Sequence, residues 1–344
     1  MDWICKIFFH VGWDVQMLDL HRLRILRELR RLGTVTAVAE LLSYTHSAIS
    51  QQLAQCEKDV GAKLYERAGR RIVLTEQGEL LANYADELLA LADAAQSAVI
   101  DSTSQVRGRI RVASFQTALA SILPSALDSL KHKYPDLRLE IKQLDIENAM
   151  PALSKGTVDL ILGEDYPGVM PLTDNTVDRE HLIDDELVLI TPQDSTLTFQ
   201  DVEELAGHEG QPGVSFALDS VEFSLRRFFQ AYCLQYGFEP KVDFETPDPF
   251  LQTYLVRTGH ACSVTSALFG PLQPGVRFVH LPGRPHRTLY TAVRAGRAQH
   301  PALRALREAL AESAAEIAAK SVVESEAEPA AEPGAKPGAD HGSS

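Results

Sequence analysis

The chain has 344 residues, 45% hydrophobic and 23% charged, with a formal net charge of −14; that length holds two or three domains and a substantial core. Its four cysteines (Cys5, Cys56, Cys233, Cys262) form no CxxC and no metal-ligand spacing, which excludes a cysteine-built metal module and leaves reduced thiols in a cytoplasmic protein as the expectation. A uniform acidic charge would exclude nucleic acid as a partner, but residues 17–75 hold ten Lys or Arg against six acids, a local +4 that leaves −18 on the remainder. A basic module on an acidic body can dock a polyanion with one face.

Residues 1–16 have an apolar patch but no basic leader, and they are too short to span a bilayer. They read as a disordered extension with no membrane role. Over residues 20–32, Leu and Ile recur at 23, 25, 26, 29 and 32, and Gly33 comes next, the pattern of a helix with its stop. Thr36 is the expected cap of a short helix with Val38, Leu41 and Leu42 on its apolar face. Thr45 then caps a longer helix ending at Gly61, with Ile49, Leu53, Cys56 and Val60 as the buried stripe. The opposite face starts with His46, Ser47, Ser50 and Gln51, short hydrogen-bonding side chains where a recognition helix meets base edges and phosphates.

Two ordinary amphipathic helices would give the same periodicity. The adjoining segment favours the helix-turn-helix. Residues 63–75 read as a hairpin whose tip carries Gly69, Arg70 and Arg71, a wing that sets guanidinium groups beside a phosphate backbone. Thr75 is the expected cap of a long helix running to about Thr103. In it Leu81, Tyr84, Leu88, Leu91, Ala95 and Ala98 form a heptad seam. A bare seam predicts a dimerisation helix, with packing on the chain's own body as the alternative. The helix has no Lys or Arg, and its six acids must point away from the partner.

The remainder reads α/β. Strands at 109–114, 137–141 and 158–163 alternate with helices over 119–134 and around 150–154, a βαβαβ unit with parallel strands. A second half starts with a strand at Glu186 and continues with helices at 223–236 and 250–258 and a strand at 262–265. Asp184, Asp185 and Glu186 read as a solvated strand end, with a cation site as the weaker alternative. From about residue 319 Glu, Ala, Pro and Gly dominate without apolar periodicity, as in a disordered tail. Hydrolase, metalloprotease, P-loop and dinucleotide-binding motifs are absent, and the histidines form no metal-binding pair.

At Ser114, Phe115, Gln116 and Thr117 a strand ends and a helix begins, where open α/β sheets bind ligands. Plain N-capping by the hydroxyls is the equal alternative. Glu164 at the next strand end and Ser215 across the cleft are expected companions. The helix N-terminus there favours an anion, and Glu164 and Asp165 nearby argue for a ligand that also carries an amine or hydroxyls.

The motif around Ser47 to Leu53, the Leu-Tyr-Glu-Arg of residues 64–67 and the stretch 70–78 resemble the LysR-type transcriptional regulators, at that family's spacing and over about residues 17–315. The resemblance implies an α+β multidomain protein: an N-terminal winged helix-turn-helix (17–75), a long linker helix (76–105) and a periplasmic-binding-protein-like α/β effector domain (106–318). That domain has two subdomains, the first about 106–166 and 284–318, the second about 167–283, with the disordered segments 1–16 and 319–344 outside. It also implies that His46, Ser47, Ser50 and Gln51 face the major groove, that Arg70 lies on the wing, and that effectors bind between the two halves. Many members have arginine where this chain has Gln51, so base preference does not transfer. The expected partners are double-stranded DNA, a small-molecule effector, further copies of the chain as a dimer or dimer of dimers, and RNA polymerase if the protein activates. No cofactor, metal or catalytic activity is expected. A solute-binding protein on the same two-lobed fold is the rival reading, disfavoured by the basic winged helix, and an enzyme is the third.

Overall fold

In the computed structural model, which describes residues 17–69, 71–101, 106–171, 176–207 and 213–327, helix α1 (Leu20–Leu32) starts at Asp19. Its carboxylate accepts from the N–H groups of His21 and Arg22, and Gly33 ends the helix at φ +70°. Leu23, Ile25, Leu26 and Leu29 are buried, each contributing about 1.5–3 kcal/mol. Ile25, Leu26 and Leu29 pack on α2 (Val35–Leu42) and α3 (His46–Val60). Thr34, not Thr36, caps α2, because the helix begins one residue before Thr36. Thr45 caps α3 and Gly61 ends it. Ile49, Leu53 and Cys56 are buried, but Val60 is 39% exposed in the last turn, past the edge of the core. The hairpin β1 (Tyr65–Ala68) and β2 (Arg71–Leu74) pairs Ala68 with Arg71 across a two-residue turn. Arg70 and the extension 1–16 lie outside the described residues.

Helix α4 (Glu76–Asp101) is capped by Thr75, whose hydroxyl accepts from the Gly78 N–H. Gly78 is obligatory, since a Cβ there would collide with the Leu64 carbonyl. At its far end α4 lies on a short turn of the next domain, where a Cβ on Gly296 would meet the Ala90 carbonyl. Arg294 donates to Asp93 at 2.8 Å beside that contact.

The rest of the described chain builds two lobes on one long strand. The first contains β3 (Gly108–Ser114), α5 (Gln116–Ser121), α6 (Leu123–Lys133), β4 (Leu137–Gln143), α7 (Ile146–Lys155) and β5 (Leu160–Asp165). Strand β3 pairs in parallel with both β4 and β5. Then β6 (Val177–Pro192) passes through both lobes. The second lobe holds α8 (Val202–Ala206), β7 (Ser215–Leu218), α9 (Ser224–Gln235), β8 (Lys241–Glu245), α10 (Pro249–Arg257), β9 (Ser263–Ser266) and β10 (Val276–His280). The chain returns through β11 (His286–Arg294) and ends its described part in α11 (Pro301–Ala327).

Residues Val177 to Glu186 of β6 pair antiparallel with β11, whereas Leu187 onward pairs with β9 and β10. The expected subdomain bounds put the outward crossing at about residues 166–167, and this strand is expected to start at Glu186. The strand instead starts at Val177, in a charged stretch whose two faces are both half-exposed and so show no alternation. On the first lobe's sheet α6 and α11 cover one face and α7 the other, while aromatic residues around Phe199, Phe216, Phe229 and Tyr232 fill the second lobe. Helix α11 continues to Ala327, past the expected start of the tail at residue 319.

Candidate functional site

The exposed face of α3 carries His46, Ser47 and Gln51 in full view, with Ser50 half-exposed beside them. Ser47 shares a hydrogen bond with Thr45 at 3.1 Å. Gln52 is turned inward, where it accepts from Arg22. Internal pairing sorts the module's basic residues. Arg22, Arg27, Arg30, Arg31 and Lys63 are paired with Asp59, Glu28, Asp86, Glu28 and Glu57, and Arg24 donates to the Ser154 carbonyl of the first lobe. Among the described residues of the module Lys58, Arg67 and Arg71 make no internal ion pair, and all three are exposed. They are the cations free to meet phosphate.

Helix α4 has two apolar faces. Leu81 packs into the winged-helix core with Ala82, so it is not free for the expected seam. Tyr84 is 55% and Leu91 66% exposed, Leu88 is half-buried, and Leu80 and Val99 extend the exposed stripe. The seam is therefore shifted by one residue at its start, from Leu81 to Leu80. The acids Asp86 and Asp93 are drawn off it by Arg30 and Arg294.

A cleft of about 520 Å³ separates the lobes, lined among others by Phe115, Gln116, Thr117, Glu164, Tyr166, Asp219, Gln252, Ser266 and Arg287. Its floor is organised by Arg287, 3% exposed. Nε donates to Asp185 at 2.8 Å, Nη1 to Glu164 at 2.6 Å and Nη2 to Thr117 at 3.0 Å. Tyr166 donates to the same oxygen of Glu164 at 2.8 Å, and Ser266 to Asp185 at 2.5 Å. Burial opposes the charge of Arg287, but Asp185, Tyr166 and Glu164 outweigh it and raise its pKa. Burial also raises Glu164, against the pull of Arg287. At the mouth, Gln116 donates to Asp248 and Arg227 to Glu147, each at 3.4 Å and each across the two lobes.

Ser114 and Ser215 are not in this lining. Ser114 is 1% exposed below the end of β3, its hydroxyl turned to the Phe115 carbonyl at 3.4 Å. It does not cap α5, whose start at Phe115 has no side-chain cap. Thr117 does not cap either; its hydroxyl accepts from Arg287. Ser215 sits at the start of β7 bonded to Asp243, because the cleft lies at the other end of that strand, where Asp219 comes after it. Asp185, expected on a solvated strand end, is 2% exposed. Strand alternation with the buried Leu187 and Leu189 was the signal that turns it inward. The same alternation links Arg287 to the buried Leu289.

Burial pushes the Asp219 carboxyl up to about 6 against a hydrogen bond from Gln252. A carboxyl raised above its ordinary 3.8 costs stability when charged, fully above pH 6 and less as pH falls towards 4. Asp219→Asn keeps an acceptor for Gln252 and should raise stability at neutral pH by on the order of 2 kcal/mol. The gain should vanish near pH 4; thermal melts showing the same gain at both pH values would contradict the burial cost. Burial also raises the thiols, Cys56 to about 11 and Cys233 and Cys262 to about 12, which makes them packing groups and poor nucleophiles. Among the described residues no cluster of His, Cys, Asp or Glu is placed to hold a metal ion, and no helix is long and apolar enough to cross a membrane.

Comparison with known proteins agrees with this layout. A family model described as bacterial regulatory helix-turn-helix protein, lysR family, matches residues 20–79, and one described as LysR substrate binding domain matches residues 103–315. A probable RuBisCO transcriptional regulator of Trichormus variabilis is 31% identical over 174 residues, covering 50% of this chain and 51% of that protein. The chain thus spans about half the length of the RuBisCO regulators it matches. The HTH-type transcriptional regulator ShiR of Corynebacterium glutamicum is 26% identical, over 75% of this chain and 89% of ShiR. A solved mutant of Corynebacterium glutamicum OxyR has a TM-score of 0.54 at 20% identity, over 89% of this chain and 95% of that one. That similarity concerns the fold.

Proposed function

The chain belongs to the LysR family of bacterial regulators, and from that premise we propose that it is a sequence-specific, DNA-binding transcriptional regulator whose binding a small-molecule effector modulates. The observation that carries this reading is the sorting of charge on the winged helix. The cations left unpaired flank an α3 face of short polar side chains. Phosphate contacts then come from Lys58, Arg67, Arg70 and Arg71, and base readout from His46, Ser47, Ser50 and Gln51. The cleft between the lobes is the effector site, with Phe115, Gln116, Thr117 and Glu164 in its wall. The chain works as a dimer through the exposed face of α4, or as a dimer of dimers, in the cytoplasm where DNA is available, and contacts RNA polymerase if it activates. It is a regulator and no enzyme.

Anisotropy titrations on target and random DNA test the module. Arg71→Ala should weaken binding to both and flatten the salt slope by about 0.9, as one phosphate contact does. Gln51→Ala should instead lose about 1–3 kcal/mol of discrimination at one base position. Two folded variants with wild-type affinity and salt slope would remove α3 and the wing from the DNA interface.

A further inference from the structure

We propose that the cleft takes a ligand with a cationic nitrogen head, an ammonium or an amidinium, seated between the carboxylates of Glu164 and Asp219. This rests on the reading of the cleft as the effector site and names the class of molecule it selects.

The argument is an inventory of donors and acceptors. Among the described lining residues Arg287 is the one Lys or Arg, against five acids. Its Nε faces Asp185, its Nη1 Glu164 and Tyr166, and its Nη2 Thr117 and Asp185, which accounts for all five N–H groups. It has no nitrogen to spare for an incoming anion. Of the five acids Asp145 is engaged on both oxygens as the cap of α7. Asp248 and Glu147, each bonded through one oxygen, are exposed at the mouth, where water serves the other. Glu164 and Asp219 lie deeper. Glu164 accepts from Arg287 and Tyr166 through Oε2 alone. Asp219 accepts from Gln252 through Oδ1 alone. Among the described residues Glu164 Oε1 and Asp219 Oδ2 have no donor, and both residues border the cavity.

A donor carrying positive charge is what these two oxygens lack. An anion would meet two carboxylates in a partly dehydrated space. The N-terminus of α9, at Phe223 and Ser224 on the cleft wall, offers only about half a positive charge. Arg287 and Arg226 act on these carboxylates as well, and Glu164, Asp185 and Asp219 still exceed the two cations by one negative charge. Phe115, Phe223, Leu187 and Val264 supply apolar wall behind the head, so the ligand's body is a carbon skeleton of small-metabolite size.

The test uses the full chain and two probe sets, primary alkyl- and arylamines and the carboxylic acids of matched skeleton, read as thermal stabilisation and then by calorimetry. Members of the amine set should stabilise the wild type. Asp219→Asn and Glu164→Gln should each lower the affinity of the best amine by about tenfold or more, the loss of one charge-assisted hydrogen bond. Amine binding at wild-type strength in both variants overturns the proposal. So does stabilisation by carboxylates alone; if Thr117→Trp abolishes it, the cleft stands as the effector site and only the cationic head falls. Stabilisation by neither set overturns both readings.

Discussion

Arg287→Ala is expected to destabilise the effector domain by about 3–5 kcal/mol, the cost of leaving buried charges without their partner. The Asp185 side chain is fully buried and held by Arg287 at 2.7 Å, while Glu164 keeps 18% exposure and a 2.6 Å contact. Removing the guanidinium strands both at the point where the lobes meet. Arg287→Lys should recover only part of the loss, since one ammonium does not reproduce three directed N–H donors. Replacing Asp185 by Leu and Arg287 by Met together should cost less than the single change, because no uncompensated charge then remains at that pair. Urea denaturation of the four proteins decides it. A loss below about 1 kcal/mol for Arg287→Ala, the range of exposed pairs, would mean that the cluster is effectively solvated.

Leu91→Asp should divide the assembly and lower DNA affinity about 10²–10⁴-fold, the advantage that two linked modules have over one. Leu91 is 66% exposed on a stripe with Leu80, Tyr84 and Val99, along a helix about 39 Å long. A carboxylate there would be buried against a second copy of a helix that carries no Lys or Arg. In the isolated chain the same side chain faces water, so the monomer should fold unchanged. Light scattering giving the wild-type mass would place the self-association surface elsewhere.

The winged helix was legible because its signals are local. Thr45, Gly33 and Gly61 mark helix ends within a few residues of the periodic stretches they bound, and the wing is a two-residue hairpin. The phase of the α4 seam was not legible. Leu80 and Leu81 are adjacent leucines, and only the position of Leu64 and Leu74 decides which one is taken inward. The floor of the cleft was hidden for a different reason: Arg287 and Asp185 are 102 residues apart and meet only through the pairing of β6 with β11. Ser114 and Ser215 looked functional because hydroxyls at strand ends often are; one is below the cleft and the other at the wrong end of its strand.

The order in which the polypeptide is synthesised bears on how the first lobe closes. Strands β3, β4 and β5 leave the ribosome early, but β5 has its second neighbour only when β11 arrives, and Leu289, Leu303, Leu306 and Leu310 complete that core. At about 5–20 residues per second the interval is on the order of ten seconds. The sheet waits through it with an open edge and an uncovered face. The second lobe draws nearly all its core from residues 187–281 and closes within the same interval. Arg287 thus arrives after Thr117, Glu164 and Asp185, on the strand that closes the open edge of the first lobe.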